Sequence, residues 1–442
     1  MRRGIVTAWA LVSIVGCAGP VATSSPPSEG PSPAALASAA ASVPPATPSA
    51  MPSPSPSPAE TSSGEGGPWT LAAPLSGGDA FPPRVQVQVA RFGSTVLVVG
   101  SDNICTPGAA WDSSVMADVW DPDKLSWAAA PSLPRPRDRF VLAPLPNGSV
   151  LIAGGATDSD DEYPGISFIS SLRLDPGGSA WLRTGDLTQA RSQPAGAVLH
   201  DGRVLIVGGY YANLPDEPAM RMLRSAELFD PATETWSRTG SLNVARYGSS
   251  ATTLSDGRVL VLGGWADVDD NAVAPLYGTH TPLRTAELYD PQSGAWTMAG
   301  ELSLGVADAT LVALPRGGAL TVSRDGAFRF DVGSMTWTAT GSMERRADDR
   351  SIVELADGRV LAAGGTVPSE DGATYIAAAE IYDWASDRWV RTAQMPGRHG
   401  GGSAILLDDG SVLVVGGAVA AGLGAPSCPT PATNTVLYRP KG

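Results

Sequence analysis

Few histidines and cysteines are present, and this limits the chemistry that the chain could carry. The 442 residues include three of each, at His200, His280, His399, Cys17, Cys105 and Cys428. The cysteines do not form the closely spaced pairs of a zinc site, and the sequence has neither a Gly-x-Ser-x-Gly motif nor a phosphate-binding loop. It therefore predicts no metal, no cofactor and no catalytic residue.

Positive charge is also scarce. Thirty Lys and Arg against 44 Asp and Glu give a formal net charge of −14. Proteins that bind the phosphate backbone need a basic surface. The charge therefore argues against a nucleic-acid partner.

The N-terminal apolar run at 4–16 follows two arginines. It is too short to span a bilayer, as in the apolar region of an export signal. The sequence Ile-Val-Gly-Cys that ends at Cys17 resembles the bacterial lipobox. We therefore expect residues 1–17 to be a lipoprotein signal peptide. The exported protein would be membrane-anchored on the extracytoplasmic side, through lipidated Cys17 alone; an ordinary cleaved signal is the alternative.

Residues 18–67 contain twelve prolines, three charged residues and no aromatic residue. Such a segment cannot bury enough apolar surface to offset the entropy of ordering it. Its Pro-Ser alternation favours an extended spacer. It is predicted to be a disordered tether that carries the folded domain, 68–442.

The rest of the chain is a repeat. An apolar run that ends in one or two glycines recurs at 96–100, 150–155, 204–209, 259–264, 360–365 and 412–417, with a degenerate copy at 319–322. Five of these runs follow an Asn-Gly or Asp-Gly pair, which can supply the positive φ angles of a two-residue hairpin. A fixed internal period is the sequence signature of a repeat architecture.

An aromatic residue or leucine, with a tryptophan seven residues later, follows six of these runs. The pairs are Trp120/Trp127, Leu174/Trp181, Phe229/Trp236, Tyr289/Trp296, Phe330/Trp337 and Tyr382/Trp389. Four strands, a to d, repeated about every 50 residues are typical of a kelch-type β-propeller. The double glycine, the aromatic residue of strand c and the tryptophan of strand d resemble that family across 68–442. We expect these aromatic residues to pack against the next blade.

The resemblance implies an all-β fold of seven four-stranded antiparallel blades. Tyr438 lies in a last strand c with no tryptophan after it, and Trp69 has no strand c before it. The N-terminal strand is therefore predicted to close the last blade beside Tyr438, which removes an open sheet edge. Cys105 and Cys428 would lie in the b–c loops of blades one and seven, which adjoin at this closure. We expect a disulfide between them, and two free thiols are the alternative.

In a propeller of this strand order, the long b–c loops and the d–a connections share one face, here called the b–c/d–a face. Loops on a rigid scaffold often carry function. Five arginines in the d–a connections are expected to ring the mouth of the central channel: Arg137, Arg191, Arg246, Arg346 and Arg398. The kelch resemblance implies that such arginines contact acidic partners, and a structural role within each blade is the alternative.

Aromatic side chains of the same loops are further ligand-binding candidates, and packing within their own loops is the alternative. They are Trp111, Tyr210, Tyr211 and Trp265, with Tyr163, Tyr277 and Tyr375. Two acidic clusters, at 158–162 and 267–271, lack the glycine and distal glutamate of a calcium-binding EF-hand loop. We interpret them as solvated loops.

These features predict a monomeric binding module of the cell envelope that recognises a glycan or an envelope protein through the b–c/d–a face. The catalytic domain of galactose oxidase resembles this architecture. The three dispersed histidines do not assemble its copper site, which argues against a copper radical oxidase. A non-oxidative sugar-modifying enzyme of the isomerase or mutarotase type is the alternative.

Overall fold

The computed structural model describes residues 69–73, 87–100, 116–157, 166–213, 217–267, 274–275, 280–315, 317–369, 372–419, 430–431 and 435–440. Several sequence predictions fall outside these residues. They are the signal peptide with Cys17, the tether at 18–67, the Cys105–Cys428 disulfide, Trp111, Tyr163, Tyr277, the acidic cluster at 158–162 and most of the one at 267–271. In the described part of the chain, no helix is long and apolar enough to cross a bilayer.

The all-β prediction is confirmed, because the described residues form seven four-stranded antiparallel blades. Strands a are Val87–Phe92, Val141–Pro144, Ala195–Val198, Ser250–Thr253, Thr310–Leu314, Ser351–Glu354 and Ser403–Leu406. Strands b are Thr95–Gly100, Val150–Ala153, Val204–Val207, Val259–Leu262, Gly318–Ser323, Val360–Ala363 and Val412–Val415. Strands b are almost wholly buried because each lies second in its sheet, between two neighbouring blades.

The outer two strands complete each blade. Strands c are Met116–Asp121, Ser171–Leu174, Ala226–Asp230, Thr285–Asp290, Gly326–Asp331, Ala379–Asp383 and Val436–Tyr438. Strands d are Ser126–Ala129, Leu182–Arg183, Thr235–Arg238, Ala295–Glu301, Thr336–Ala339, Arg388–Arg391 and Trp69–Leu71. Short strands within the b–c loops are Tyr210–Asn213, Glu217–Met222, Trp265–Asp267, Ala274–Pro275, His280–Pro282, Thr366–Ser369, Gly372–Tyr375, Ala418–Val419 and Thr430–Pro431.

The ring closes as the sequence predicts. Each strand a contacts the strands a of two neighbouring blades, and the contacts run through all seven blades back to the first. Trp69–Leu71 pairs antiparallel with Val436–Tyr438, with Trp69 opposite Tyr438. The first and last described strands of the domain therefore belong to the same blade, and the first strand covers the outer edge of Val436–Tyr438.

The seven-residue spacing places each strand-c aromatic residue directly opposite its tryptophan. Phe229 pairs with Trp236, and their ring centroids lie 5.2 Å apart. The expectation that these rings pack on the next blade is wrong, since the contacts run to the preceding one. The Trp236 Nε1–H donates to Ser171 Oγ of blade two at 2.9 Å, and the Trp296 Nε1–H donates to the Gly240 carbonyl after blade three at 2.9 Å.

The hairpin prediction also needs a correction. The Leu199 N–H donates to the Arg203 carbonyl at 2.8 Å, so that three residues, not two, lie in the turn. Only Gly202 of the Asp-Gly pair has a positive φ, of 86°. Asp201 instead accepts the Arg203 N–H with Oδ1 at 3.0 Å. This is the three-residue hairpin with glycine in the left-handed region.

The double glycine lets the next blade approach the end of strand b. A Cβ atom on Gly208 would lie 2.5 Å from the Arg246 carbonyl oxygen, and the Gly209 N–H donates to that oxygen at 2.8 Å. The glycines therefore fix the d–a connection of the following blade. Blade five lacks this pair, and a short turn between Ser323 and Gly326 replaces its b–c loop, as the sequence indicates.

Candidate functional site

Two of the predicted arginines lie inside the wall of the propeller. Arg191 and Arg246 are fully buried, and each occupies the residue four before its strand a. Arg191 Nη1 donates to the carbonyls of Gly208 at 2.8 Å and Ser225 at 2.9 Å. Its Nη2 donates to Glu227 Oε1 at 2.8 Å.

Arg246 repeats this arrangement with Gly263, Thr285 and Glu287. The glutamate in turn accepts two peptide N–H groups of the d–a connection. Glu287 Oε2 accepts from Asn243 N at 2.8 Å, and Oε1 accepts from Val244 N at 3.1 Å. This arginine–glutamate pair therefore joins strands b and c to the d–a connection. Such burial favours the structural alternative, and ligand contact by these two arginines stays a prediction.

The other three arginines differ from these two. Arg346 and Arg398 are exposed, while Arg137 is buried without a carboxylate on its own strand c. In blade six Ala347 lies four residues before strand a, and the pairing role belongs instead to Arg350, directly before that strand, which the sequence reasoning missed. Arg350 Nη2 lies 3.3 Å from Glu380 Oε1. In blade seven His399 occupies the arginine position, and its Nδ1 lies 3.2 Å from the Gly416 carbonyl oxygen.

We call the residue four before each strand a the wall position. The mouth of the channel on the b–c/d–a face is built from the residue two before each strand a, which is two after the wall position. Six of these residues have positive φ: Arg139, Gln193, Gly248, Asp308, Asp349 and Gly401. Backbone hydrogen bonds join neighbours, from Gln193 N to the Arg139 carbonyl at 2.9 Å and from Asp308 N to the Gly248 carbonyl at 2.8 Å. Non-glycine residues with positive φ are uncommon and cluster at functional sites. We call these six residues the mouth ring.

Asp308 is held by two donors at this mouth. Gln193 Nε2 donates to its Oδ1 at 2.8 Å, and Trp265 Nε1 donates to its Oδ2 at 3.0 Å. Gln193 and Asp308 come from blades three and five, and Gly248 of blade four leaves room between them. A Cβ atom on Gly248 would lie 2.7 Å from Asp308 Oδ1 and 3.2 Å from Gln193 Nε2.

An aromatic group begins at Arg139 of the mouth ring and continues through Tyr210 and Tyr247 to His280. Arg139 Nη1 donates to the Tyr210 hydroxyl at 2.8 Å. Tyr210 meets Tyr247 edge to face, with ring centroids 5.4 Å apart, and Tyr247 meets His280 at 5.7 Å. Tyr210 is buried, whereas Tyr211 and Trp265 are partly exposed. Two predicted aromatic candidates therefore contact the mouth ring: Tyr210 through Arg139 and Trp265 through Asp308, and of these Trp265 is the partly exposed one.

Asp308 and Asp349 both reach solvent, but protein atoms surround much of each carboxylate, and this raises their pKa values. Burial raises the pKa of Asp308, although hydrogen bonds from Trp265 and Gln193 act in the opposite direction. Burial also raises the pKa of Asp349, and the nearby charges of Asp348 and Asp308 add to that rise. Burial lowers the pKa of Arg139, but Tyr210 and neighbouring acids raise it by more. The mouth thus combines one cation with two carboxylates that resist ionisation.

Metal ligation has little support in the described part of the chain, where no cluster of three or more His, Asp or Glu could hold an ion. His200 follows strand a in the hairpin turn, at the opposite end of the blade from His399. The mouth can instead accept hydrogen bonds through Asp308 and Asp349, donate them through Arg139, and offer the indole of Trp265 as a flat apolar surface.

Comparison with known proteins supports the repeat assignment. A model of the Kelch motif matches residues 191–243 and 246–303. Kelch-like protein 35 of Mus musculus is 24% identical over 258 residues, which cover 56% of this chain and 38% of that protein. N-acetylneuraminate epimerase of Yersinia enterocolitica is 25% identical over 166 residues, which cover 32% of this chain and 42% of that protein. This chain spans less than half the length of either relative.

A solved structure of a fungal alcohol oxidase of the AA5 family, in complex with copper, has a TM-score of 0.60. It is 15% identical in sequence, and the match covers 85% of this chain and 76% of that one. At this identity the likeness shows the fold alone. The chain therefore carries Kelch motifs on a seven-bladed propeller, an arrangement consistent with a binding module.

Proposed function

We propose that this Kelch-motif propeller is a binding module of the cell envelope or surface that holds a glycan or a protein partner at the mouth ring. One observation carries the proposal: Asp308 is fixed by Gln193 and Trp265 at the channel mouth, with its carboxylate exposed. A side chain held in place loses little entropy when a ligand binds, which favours affinity.

The chemistry of the mouth favours a ligand rich in hydrogen-bond donors. The carboxylates of Asp308 and Asp349 accept hydrogen bonds from hydroxyl or basic groups. The partly exposed indole of Trp265 can stack on the apolar face of a sugar ring or on a partner side chain. A glycan offers both features, and so does a protein segment with serine, threonine or basic residues.

Envelope location is part of the proposal and rests on the sequence of 1–67. Lipidation of Cys17 would anchor the module, and the proline-rich tether would give the propeller reach. The measurement is fractionation of cells that express the full chain or its Cys17→Ala variant. The wild-type chain should sediment with membranes and the variant should not; equal distribution would contradict the anchor.

The binding test uses the full chain on a glycan array and as bait for an envelope extract. Asp308→Asn should weaken capture of the retained ligand at least about tenfold, because it removes a charge-assisted hydrogen-bond acceptor. Asp290→Asn is the matched control, since Asp290 lies in a c–d turn on the opposite face. If both variants bind as the wild type does, or if the wild type retains no ligand, the proposal fails.

A sugar-modifying enzyme is not favoured, but the same material tests it. The retained glycan is followed by NMR with the full chain at catalytic concentration. Interconversion of sugar isomers or anomers above the uncatalysed rate, lost in Asp308→Asn, would replace the binding module with an enzyme. An unchanged spectrum would leave binding as the function.

A further inference from the structure

The wall position shows an unmatched charge in blade two. Blades three, four and six each pair a buried arginine with a glutamate on strand c. Blade five has Val306 and Phe328 at the two positions, so both are apolar there. Blade two keeps the arginine, Arg137, but has Leu172 where blades three, four and six have glutamate.

Arg137 is 2% exposed, and its hydrogen bonds go to neutral groups. Its Nη1 donates to the carbonyls of Gly154 at 3.3 Å and Ser170 at 3.2 Å, and its Nη2 donates to Ser170 Oγ at 3.0 Å. The guanidinium carbon lies 4.5 Å from the centroid of the Phe168 ring. Burial, together with the positive charges of Arg135 and Arg183, lowers the pKa of Arg137 to about 10.

A cleft of about 580 Å³ occupies the place of the absent carboxylate. Its lining includes Arg137 and Leu172, which correspond to Arg191 and Glu227 of blade three, and Pro134 and Arg135, which correspond to Thr188 and Gln189. In blade three, Glu227 accepts the N–H groups of Thr188 at 2.6 Å and Gln189 at 3.3 Å. Pro134 has no N–H, so blade two has lost one of these donors together with the glutamate.

We propose that this cleft binds the carboxylate of a ligand, which supplies the counter-ion that Leu172 does not provide to Arg137. The site goes beyond the proposed function, because the mouth ring does not line it. A carboxylate is the anion that this position of the wall holds in blades three, four and six. Arg137 has no counter-ion among the residues that the structure describes, and a buried cation in that state carries an unfavourable desolvation free energy, which an ion pair with the ligand would offset.

The rim of the cleft indicates the rest of the ligand. Ile166 and Ile169 line it and are 47% and 44% exposed, unusually high for large apolar side chains. Arg135, also on the rim, is exposed. Arg183 is already paired with Asp186 at 2.6 Å. The ligand class is therefore a carboxylate on an apolar stem, either a free aliphatic acid or an acidic side chain flanked by apolar residues in a peptide.

Calorimetric titration of the full chain tests the proposal with four probes. Hexanoate represents the free acid, and the blocked tripeptide Leu-Glu-Leu represents the peptide. Hexanamide and blocked Leu-Gln-Leu are their uncharged counterparts. At least one carboxylate probe should bind about tenfold to a hundredfold more tightly than its amide, the ratio typical of a hydrogen bond to a charged group. Which one binds more tightly identifies the source of the ligand.

Two variants link binding to the cleft. Leu172→Glu places the carboxylate of the other blades beside Arg137, so it should raise the melting temperature and abolish binding of the carboxylate probe. Leu172→Gln is its uncharged control and should not raise the melting temperature. Arg137→Met removes the cation and should lower the affinity for the carboxylate probe to that for its amide. This variant tests the site even if Leu172→Glu does not fold.

Three results would overturn the proposal. The first is that neither carboxylate probe binds the wild-type chain. The second is that each amide binds as tightly as its acid, which would make the cleft a purely apolar groove. The third is that Arg137→Met binds the carboxylate probe as the wild type does, which would place binding elsewhere.

Discussion

Two positions of the repeat, two residues apart, behave in opposite ways. The wall position is Arg191 in blade three and Arg246 in blade four, both buried and ion-paired within their own blade. The mouth position is Gln193 in blade three and Gly248 in blade four, and it becomes Asp308 in blade five. Arginine recurs at the wall position in blades two, three and four, where its guanidinium donates to equivalent carbonyls after strand b and at the start of strand c. Residue type varies at the mouth, where only the positive φ recurs.

This contrast indicates which positions of a repeat hold the fold together and which can contact a ligand. A side chain with the same architectural role in several blades is repeated, and its loss should destabilise the protein. A side chain that contacts a ligand faces a different part of that ligand from each blade, and so it need not repeat. Arg191 belongs to the first class, and Asp308 to the second.

The largest effect should come from cutting a wall pair. Arg246→Ala leaves the carboxylate of Glu287 buried without its cation, which should lower the free energy of unfolding by about 3–5 kcal/mol. Urea denaturation measures it. Arg346→Ala, at an exposed arginine, is the matched control and should change stability by less than about 0.5 kcal/mol. An equal loss of stability in the two variants would contradict a structural role specific to the wall arginine.

Replacing the whole pair sharpens the same comparison. Arg246→Met with Glu287→Leu makes blade four as apolar at these positions as blade five. The expected loss is about 1–3 kcal/mol, mainly from the N–H groups of Asn243 and Val244 that no longer have an acceptor. It should be smaller than the loss from Arg246→Ala alone; a larger one would contradict the ion pair as the cause.

A smaller effect should follow from Gly248→Ala in the mouth ring. The positive φ of 61° should cost about 1–2 kcal/mol for an alanine, and its Cβ would displace Gln193 from Asp308. Gly177→Ala is the control, because Gly177 has φ 72° and nothing within 4 Å of the added Cβ. Both variants should lose similar stability, but only Gly248→Ala should lose ligand. Retained binding would show that the Gln193–Asp308 contact is not needed.

The smallest effect is a pH dependence. Because the pKa of Asp308 is raised on folding, its ionised form is disfavoured in the folded state. Its contribution to stability is therefore largest at pH below the unfolded value of 3.8 and is lost as pH rises through the folded pKa. As pH rises from 3.5 to 7, the free energy of unfolding of Asp308→Asn should therefore increase relative to that of the wild type. Urea denaturation over this pH range measures it.

For Asp290→Asn, we expect the stability difference from the wild type to change with pH in the opposite direction. A hydrogen bond from Ser293 lowers the pKa of Asp290 on folding, so the wild-type residue stabilises the folded state above pH 3.8. This variant should lose stability relative to the wild type as pH rises. The same sign for both variants would contradict the enclosure of Asp308.

The sequence predicted the architecture well because the features that define it repeat. The seven-residue spacing of the aromatic pairs and the unmatched Trp69 and Tyr438 were enough to predict the blades and their closure. The direction of tryptophan packing was not predictable, because both neighbouring blades present the same apolar pattern. The hairpin was wrong by one residue, since Asp201 acts as a hydrogen-bond acceptor and not as a residue with positive φ.

The site was harder to predict. A signal for the wall pair does exist in the sequence: Glu227 and Glu287 stand two residues before the strand-c aromatic residue in blades that have the arginine. The mouth ring leaves no such signal, because Arg139, Gln193, Asp308 and Asp349 share a backbone conformation and not a residue type. Only the folded ring brings them together.

The central claim is that the mouth binds ligand while the wall arginines hold the blades. The most direct measurement is a calorimetric titration of the retained ligand into the wild-type chain, Asp308→Asn, and the double variant Arg246→Met with Glu287→Leu, each with its melting temperature. Asp308→Asn should bind at least about tenfold more weakly and melt no lower than the wild type does. The double variant should melt lower and bind normally. The reverse assignment, with binding lost in the wall variant and kept in Asp308→Asn, would contradict the account.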